Sequence, residues 1–295
     1  MRFRDAVLAA LTSVIWGLAF VATKLGLNSF SAAELTALRF LIACLPVFFV
    51  PRPRIGWPTL AAIGLTLFTG QFLLLFLAFK AGMPAGLASV TQQSQAFFTV
   101  LLAAVFLREV PSLRQCIGTA LAFGGLAVIG LTIGGDLTAA ALCLALAGAL
   151  SWAVGNVLVK RTADVPVFPL VVWASLVPPL PALLLSAIYD GHVPIIGALA
   201  GASWVSLGAA VYLGTLATFV GYAIWGDLLQ RYPAAIVTPF ALLAPCAGLL
   251  SSRLAFGEAF HPARYAGIVL VLVGLAVIFL PGARTRRKLA WQGER

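Results

Sequence analysis

Stretches of about twenty apolar residues follow one another along almost the entire chain, separated by short segments that carry charge, proline or glycine. A helix of about 20 residues crosses the hydrocarbon core of a bilayer, whereas membrane-spanning strands are near ten residues long and alternate. The length of the stretches therefore predicts helices. Ten of them are recognised, at residues 6–25, 31–50, 59–79, 85–107, 115–133, 139–159, 166–188, 202–225, 233–252 and 265–281.

The composition is also typical of a membrane protein. Hydrophobic residues make up 62% of the 295 positions and charged residues 9%, and the mean hydropathy is +1.05. A soluble domain is close to half apolar and a quarter charged, so a soluble enzyme, a disordered chain and a coiled coil are excluded. We predict an all-α membrane protein with ten transmembrane helices.

The basic residues indicate how those helices are oriented. With the N-terminus in the cytoplasm, fourteen of the 19 Lys and Arg residues fall on the cytoplasmic side. Lys24, Lys80, Arg253 and Arg264 fall outside, and Arg39 lies within the membrane. The excess of positive charge on the inner side predicts a multi-pass bacterial inner-membrane protein with both termini in the cytoplasm. It explains the net charge of +10 without nucleic acid, and residues 282–295 become a basic cytoplasmic tail facing anionic lipid.

An internal repeat organises the chain. Residues 84–130 align without a gap on 233–279, at an offset of 149, and share Glu109/Glu258, Gly118/Gly267 and Gly125/Gly274. Lys24 recurs as Lys160 at an offset of 136, as Trp16 does as Trp152. Each half holds five spans, and an odd number reverses the second half in the membrane. The sequence thus predicts two inverted five-helix repeats, at 1–133 and 134–281, the architecture of many secondary transporters.

These residues resemble a known family. Trp16-Gly17, then Lys24, then Arg39-Phe40 resemble the opening of EamA-type members of the drug/metabolite transporter superfamily. The paired segments around Glu109 and Glu258 resemble that family's hallmark. Among its branches, the sequence is most similar to the YddG-type exporters of aromatic and other amino acids. The resemblance implies ten helices, a central cavity between the halves and alternating access.

Polar side chains in the fourth predicted span are the strongest candidates for binding a substrate. Ser89, Gln92, Gln93 and Gln95 share one face of a helix and offer donors and acceptors without charge. We interpret them as cavity lining, because polar groups inside a membrane face a cavity or a partner. Hydrogen bonding between helices is the alternative.

Aromatic stripes with occasional polar groups suit an amphipathic, ring-bearing substrate. Each single aromatic residue is also explained by core packing or by contact with lipid. The candidates are Trp16, Phe20, Thr23 and Lys24 on the first span; Gln71, Phe72, Phe76 and Phe79 on the third; Trp152 and Asn156 on the sixth; Trp173 on the seventh; and Tyr212, Thr215, Phe219 and Tyr222 on the eighth.

Arg39 needs a partner inside the membrane. A substrate carboxylate, the carbonyls at a helix C-terminus and Glu34 are the alternatives. Lys24 lies near the outer interface, where its long side chain can also simply reach the water. Prolines inside the seventh and ninth spans, among them Pro178 and Pro239, predict kinks.

No acidic residue falls at mid-span, which bears on both coupling and chemistry. Proton-coupled carriers often hold a carboxylate within the membrane, whereas here the acids, Asp164 and Asp190 included, sit at span ends or in loops. The sequence favours a facilitator or exchanger, or protonation of a peripheral group. It offers no catalytic residues, no metal ligands and no cofactor site.

The sequence therefore predicts a secondary transporter that exports small amphipathic metabolites, most of all amino acids including aromatic ones. Its partners are then the substrate and the lipid bilayer, with no nucleic acid and no obligate protein. Efflux of lipophilic cations or drugs is the alternative within transport, although such cargo favours a cavity carboxylate. A membrane-embedded enzyme or a channel is the alternative from another class.

Overall fold

A computed structural model describes residues 1–134, 136–162, 165–189 and 195–279 of the chain. The predicted basic tail at 282–295, together with Asp164 and Asp190, lies outside these residues. The helices are α1 (Phe3–Gly26), α2 (Ala32–Ala43), α3 (Trp57–Ile63), α4 (Gln71–Lys80), α5 (Ala85–Thr91), α6 (Ser94–Phe106), α7 (Leu113–Gly130), α8 (Ala139–Lys160), α9 (Val167–Ala174), α10 (Pro179–Tyr189), α11 (Ile195–Gly201), α12 (Trp204–Tyr212), α13 (Gly221–Arg231), α14 (Ala234–Val237), α15 (Leu243–Phe256) and α16 (Pro262–Phe279).

The described chain is all-helical and contains no strand, only an isolated bridge between Gly134 and Leu137. Within it, eight helical stretches are long and apolar enough to cross a membrane: Phe3–Gly26, Trp57–Lys80, Leu113–Gly130, Ala139–Lys160, Val167–Ile188, Trp204–Arg231, Thr238–Phe256 and Pro262–Phe279. Large apolar side chains on their outer faces, such as Leu11, Val211 and Leu254, are exposed. A protein in lipid needs no polar exterior, so this surface fits a bilayer.

Two predicted spans are divided into shorter helices. Residues 31–50 form α2, which begins at a capping box between Ser31 and Glu34, and then a 3₁₀ turn, Leu45–Phe48. Residues 85–107 form α5 and α6, which meet at Gln92 and Gln93. The prediction of a continuous fourth helix was wrong because the backbone tightens there, where the Gln93 N–H bonds to the Val90 carbonyl three residues back.

Prolines mark two further breaks, as the sequence predicts. Between α9 and α10 the helix is interrupted just before Pro179, and a 3₁₀ turn at Thr238–Leu242, which contains Pro239, precedes α15. A proline removes a backbone donor and crowds the preceding turn, so the helix changes direction there.

Two π-helical turns sit at positions that the sequence repeat relates. One spans Gly64–Gly70 between α3 and α4, and the other spans Leu213–Val220 between α12 and α13, at the offset of 149. In each turn a threonine hydroxyl donates to the carbonyl five residues earlier, Thr69 to Gly64 at 3.1 Å and Thr218 to Leu213 at 2.8 Å. Such turns are uncommon and frequent at functional sites.

Helices α7 and α16 cross at backbone contact. A Cβ added to Gly125 would lie 2.6 Å from the Gly267 carbonyl oxygen, and one added to Gly118 would lie 2.6 Å from that of Gly274. On α16 the same holds in reverse: a Cβ added to Gly267 would approach the Gly125 carbonyl oxygen, and one added to Gly274 would approach that of Gly118. Since the earlier glycine of each helix meets the later glycine of the other, the two helices run antiparallel. Small residues allow such close approach in membranes, where packing replaces the hydrophobic effect.

Candidate functional site

A cavity of about 350 Å³ lies among the helices, a size within the range of sites for small ligands. Its walls are contributed by α1, α2, the first π-helical turn, α4, the α5–α6 junction, α6 and α8, and by α9, α13, the 3₁₀ turn before α15, α15 and α16, so both halves of the sequence take part. Among the described residues of the lining none is acidic, and Arg39 is the only charged one.

Twelve of the predicted site residues line this cavity. They are Trp16, Phe20, Thr23, Arg39, Gln71, Phe72, Gln92, Gln93, Gln95, Trp152, Asn156 and Tyr222. The glutamines follow the break between α5 and α6, which turns their side chains toward the cavity although they are not on one continuous helix.

Amide side chains link the wall helices to one another. The Gln92 Nε2 donates to the Ala145 carbonyl of α8 at 3.1 Å, and the Gln71 Nε2 donates to the Gln92 Oε1 at 3.5 Å. The Asn156 Nδ2 donates to the Gln95 Oε1 at 2.9 Å. Both interpretations of these polar residues, cavity lining and hydrogen bonding between helices, therefore apply, since the side chains bond between helices and also face the cavity. The Gln93 side chain forms no hydrogen bond in the described chain, so its amide is available to a ligand.

An aromatic cluster forms another part of the cavity wall. Trp16 stacks obliquely on Tyr222 and on Trp225, with ring centroids 5.5 Å and 5.1 Å apart. The indole Nε1 of Trp16 donates to the Ala217 carbonyl at 2.9 Å, within the π-helical turn Leu213–Val220. These contacts fix the ring orientations, so the wall is a rigid apolar surface against which a side chain can pack.

Arg39 borders this cavity, and few protein groups contact its charged guanidinium. Its Nε donates to the Thr218 Oγ1 at 3.0 Å, and its guanidinium carbon lies 3.8 Å from the centroid of the Phe72 ring. Glu34, one of the partners predicted for Arg39, instead belongs to the capping box of α2, where its Oε2 accepts from the Ser31 N–H at 2.8 Å. Arg39 itself is 4% exposed.

Eight predicted residues lie outside the cavity lining. Ser89 donates to the carbonyls of Gly86 and Pro245, which joins α5 to α15 instead of facing a ligand. The Trp173 Nε1 donates to the Val50 carbonyl, and Lys24 pairs with Glu258.

The remaining five fill packing positions. Phe76 and Phe79 are buried in the hydrophobic core. The Tyr212 hydroxyl donates to the Ile15 carbonyl, and Thr215 donates to the Val211 carbonyl of its own helix. Phe219 packs edge-on against Phe168. A helix that is apolar all round carries no signal for the face that meets a cavity, which is why the aromatic stripes included these residues.

The sequence analysis missed twelve lining residues, nearly all of them apolar. They are Ala19, Leu67, Leu75, Val159, Val167, Leu170, Val171, Trp225, Thr238, Ala241, Ala244 and Phe279. Trp225 could have been found, because it follows Tyr222 by three positions on the same helical face. The others have no polar or aromatic signal apart from Thr238 and Phe279.

Ion pairs lie at opposite ends of the bundle. The Lys24 Nζ lies 2.9 Å from the Glu258 Oε1, and Glu258 also accepts from the N–H groups of Ala85 and Gly86, each at 2.9 Å. The Lys160 Nζ contacts both oxygens of Glu109, at 2.8 and 3.1 Å. Within the described residues no group of His, Cys, Asp and Glu could hold a metal ion.

Apolar helices around a cavity with amide and aromatic walls are the arrangement of a membrane transport protein. The chain belongs to the EamA-like transporter family, whose model matches it twice, at residues 4–131 and 139–280.

Relatives of known name resemble the chain over nearly its full length. It is 41% identical to a probable amino-acid metabolite efflux pump of Salmonella typhimurium, covering 97% of this chain and 98% of that protein. It is 40% identical to a protein of the same description in Escherichia coli, covering 94% and 95%. A probable terminal-alkyne amino-acid exporter of Streptantibioticus cattleyicolor is 31% identical over all of both chains.

The fold also matches a solved crystal structure. The TM-score is 0.66 at 20% identity, and the match covers 97% of this chain and 99% of the other. At that identity the likeness concerns the fold alone.

Proposed function

We propose that the protein exports amino acids and related small amphipathic metabolites across the bacterial inner membrane. The observation that carries the proposal is the cavity, which combines amide groups, an aromatic wall and one cation, with no acidic residue among the described part of its lining. An amino acid presents a carboxylate, an ammonium group and a side chain, and this lining offers a counterpart to each. The names of the relatives support the same class of cargo.

Ten spans in two inverted five-helix repeats, 1–133 and 134–281, are the architecture that we propose. The antiparallel contact of α7 with α16 supports it, since the sequence repeat superposes these helices and an inverted repeat requires them to run in opposite directions. The two π-helical turns at an offset of 149 support it as well. In this architecture α2 and its 3₁₀ turn together form the second span, and α5 and α6 together form the fourth.

Matched cysteine variants test that topology. In a variant without the four native cysteines, Val110→Cys and Ala259→Cys occupy repeat-related, exposed positions beside Glu109 and Glu258. We expect a membrane-impermeant maleimide applied to intact cells to label the cysteine at 259 and to label that at 110 only after lysis, since both termini are cytoplasmic in this proposal. Labelling of both from outside would contradict the inverted repeat.

Transport proceeds by alternating access in this proposal, with the two halves moving around the cavity. Lysine and glutamate pairs that join the halves at both ends provide contacts that can break in turn. Without a carboxylate in the described lining, we assign the protein as a facilitator or exchanger.

Purified protein in liposomes tests the activity. Vesicles preloaded with an unlabelled amino acid should accumulate the same labelled amino acid transiently by counterflow, whereas empty vesicles and vesicles without protein should not. A panel of small, aliphatic and aromatic amino acids measures the range of cargo. Absence of counterflow for the whole panel would reject the proposed function, and a strict requirement for an imposed pH gradient would reject the facilitator.

Lipophilic cations are the second candidate cargo, and the lining disfavours them. Arg39 is a fixed positive charge beside the cavity, and no acidic group in the described lining offsets it. Like charges in a site of low dielectric repel strongly.

A further inference from the structure

The guanidinium of Arg39 has unused binding capacity. Of its nitrogens, Nε alone has a hydrogen-bond partner in the described chain, the Thr218 hydroxyl. Neither terminal nitrogen contacts a carboxylate or a carbonyl of the described residues, although the side chain lines the cavity. A buried cation without a counter-ion costs several kcal/mol. The Phe72 ring face, 3.8 Å from the guanidinium carbon, offsets only part of that cost.

The second half of the molecule reveals whether this cation is needed for folding. Gly214 packs under the Arg39 carbonyl, and its added Cβ would lie 2.8 Å from that oxygen. Gly64 packs in the same way under the Ala174 carbonyl, also at 2.8 Å. Position 174 therefore corresponds to position 39, and an alanine occupies it.

The two positions share the glycine contact and a neighbouring π-helical turn, but not the charge. Both neighbouring helices contain a π-helical turn, and in both a threonine, Thr69 or Thr218, bonds to the carbonyl five residues earlier. Since the same construction stands without an arginine at Ala174, the packing does not require Arg39. A buried charge that the architecture does not need must be retained for what it binds.

We propose that Arg39 binds the carboxylate of the cargo through its two terminal nitrogens, so that a carboxylate is the obligatory feature of the substrate class. This inference rests on the proposed function, and it narrows the proposed cargo to molecules that carry a carboxylate. Arginine presents parallel N–H groups that match the two oxygens of a carboxylate, which lysine does not. Thr218 is a positioning residue, because its hydroxyl and the Phe72 face fix the plane of the guanidinium.

Four probes with a common phenyl ring separate carboxylate from amine recognition. L-Phenylalanine has both groups, 3-phenylpropionate keeps the carboxylate alone, and L-phenylalaninamide and phenethylamine keep only the amine. We expect unlabelled phenylalanine and 3-phenylpropionate to inhibit counterflow of labelled phenylalanine at least tenfold more strongly than the other two. Equal inhibition by all four probes would overturn the proposal.

Variants connect that preference to Arg39. Arg39→Gln should remove the preference and lower phenylalanine counterflow at least tenfold, and Arg39→Lys should restore part of both. Thr218→Val should weaken the apparent affinity about threefold while leaving the maximal rate. The matched variant Thr69→Val removes the corresponding intrahelical bond of the other π-helical turn and should leave affinity unchanged. A preference that persists in Arg39→Gln would refute the role.

Ligand-induced thermal stabilisation of the purified protein provides a readout that does not depend on flux. The carboxylate probes should raise the melting temperature of the native protein and of Thr69→Val but not of Arg39→Gln, and the amine probes should raise none. If the native protein shows this pattern without any counterflow, the transport function fails and the role of Arg39 stands. If no carboxylate probe stabilises the native protein, the role of Arg39 is overturned.

Discussion

Two of the ion pairs that join the halves are built from repeat-related residues, Lys24 with Glu258 and Lys160 with Glu109, yet only the first is largely buried. Glu258 accepts from Lys24 and from two backbone N–H groups, its side chain is 10% exposed, and Lys24 also lies 4.4 Å from the Phe256 ring centroid. Glu109 contacts Lys160 with side chains that are 51% and 47% exposed. The Lys24 pair is thus enclosed in a network, whereas the Lys160 pair is exposed. At the Lys160 end the buried Asp5 of α1 also joins the halves, accepting from the Arg231 Nη1 at 3.1 Å and from the Tyr232 hydroxyl at 2.6 Å.

The cavity extends toward the Lys160 end. Trp225 and Phe279 belong to its lining, while Phe76 and Gly130, at the same places in the first half by the offset of 149, do not. Phe279 ends α16 at the side where α7 begins, close to Glu109. The cavity therefore reaches further toward the Lys160 end than toward the Lys24 end.

The largest expected effect concerns the element that both ends share, the contact of α7 with α16. Gly125→Leu places a side chain where a Cβ alone would lie 2.6 Å from the Gly267 oxygen, so the helices must separate. Overpacking of this kind costs about 3 kcal/mol or more, and we expect loss of folded protein by size-exclusion chromatography. Gly124→Leu is the matched control, because nothing lies within 4 Å of its added Cβ. Similar loss in both variants would count against the crossing.

A smaller effect distinguishes the two ion pairs. Glu258→Gln weakens bonds to Lys24 and to the N–H groups of Ala85 and Gly86, and charged hydrogen bonds are worth about 1.5–3 kcal/mol each. Because Lys24 is partly exposed, we expect a net loss of about 2 kcal/mol. Glu109→Gln should cost less than about 1 kcal/mol.

Thermal denaturation of the purified variants measures both values. Counterflow should follow the same order, with Glu258→Gln slowed several-fold and Glu109→Gln close to the native rate, because the buried junction seals one side of the cavity. Equal effects of the two substitutions would remove the distinction between the ends.

The smallest effect concerns the residue before each glutamate. Arg108 and Gly257 are repeat-related and both adopt a left-handed backbone, with φ of 55° and 66°. Glycine adopts this conformation without steric cost, and other residues do not. Arg108→Gly should therefore raise stability by about 0.5 kcal/mol or leave it unchanged, whereas Gly257→Ala should lower it by about 1 kcal/mol. Melting temperatures that move in the opposite directions would contradict the left-handed turn at both sites.

The spans could be predicted from the sequence because a bilayer imposes a length on apolar helices. The glutamines of the α5–α6 region could be predicted as cavity residues because amides are costly against lipid. Neither argument identifies residues such as Leu67 or Val171 as cavity lining, because the same aliphatic side chains occur against lipid, in the core and on a cavity wall. The break at Gln92 and the π-helical turns also escape prediction, since they depend on hydrogen-bond register and not on composition.

Pairing of distant charges lies equally beyond a single sequence. Lys24 is 234 positions from Glu258, and only the fold brings the Glu258 carboxylate to the lysine and to the start of α5. The repeat did identify both glutamates as special, but it carries no information about which of the two would be enclosed.

The tryptophan cluster has a spectroscopic consequence. Of the seven tryptophans in the chain, Trp16, Trp152 and Trp225 border the cavity, and the first and last are in ring contact. Indole emission depends on the polarity and the quenching groups of its surroundings, so cargo that displaces water from this wall changes the ultraviolet fluorescence. The unlabelled protein thereby contains its own optical reporter of occupancy.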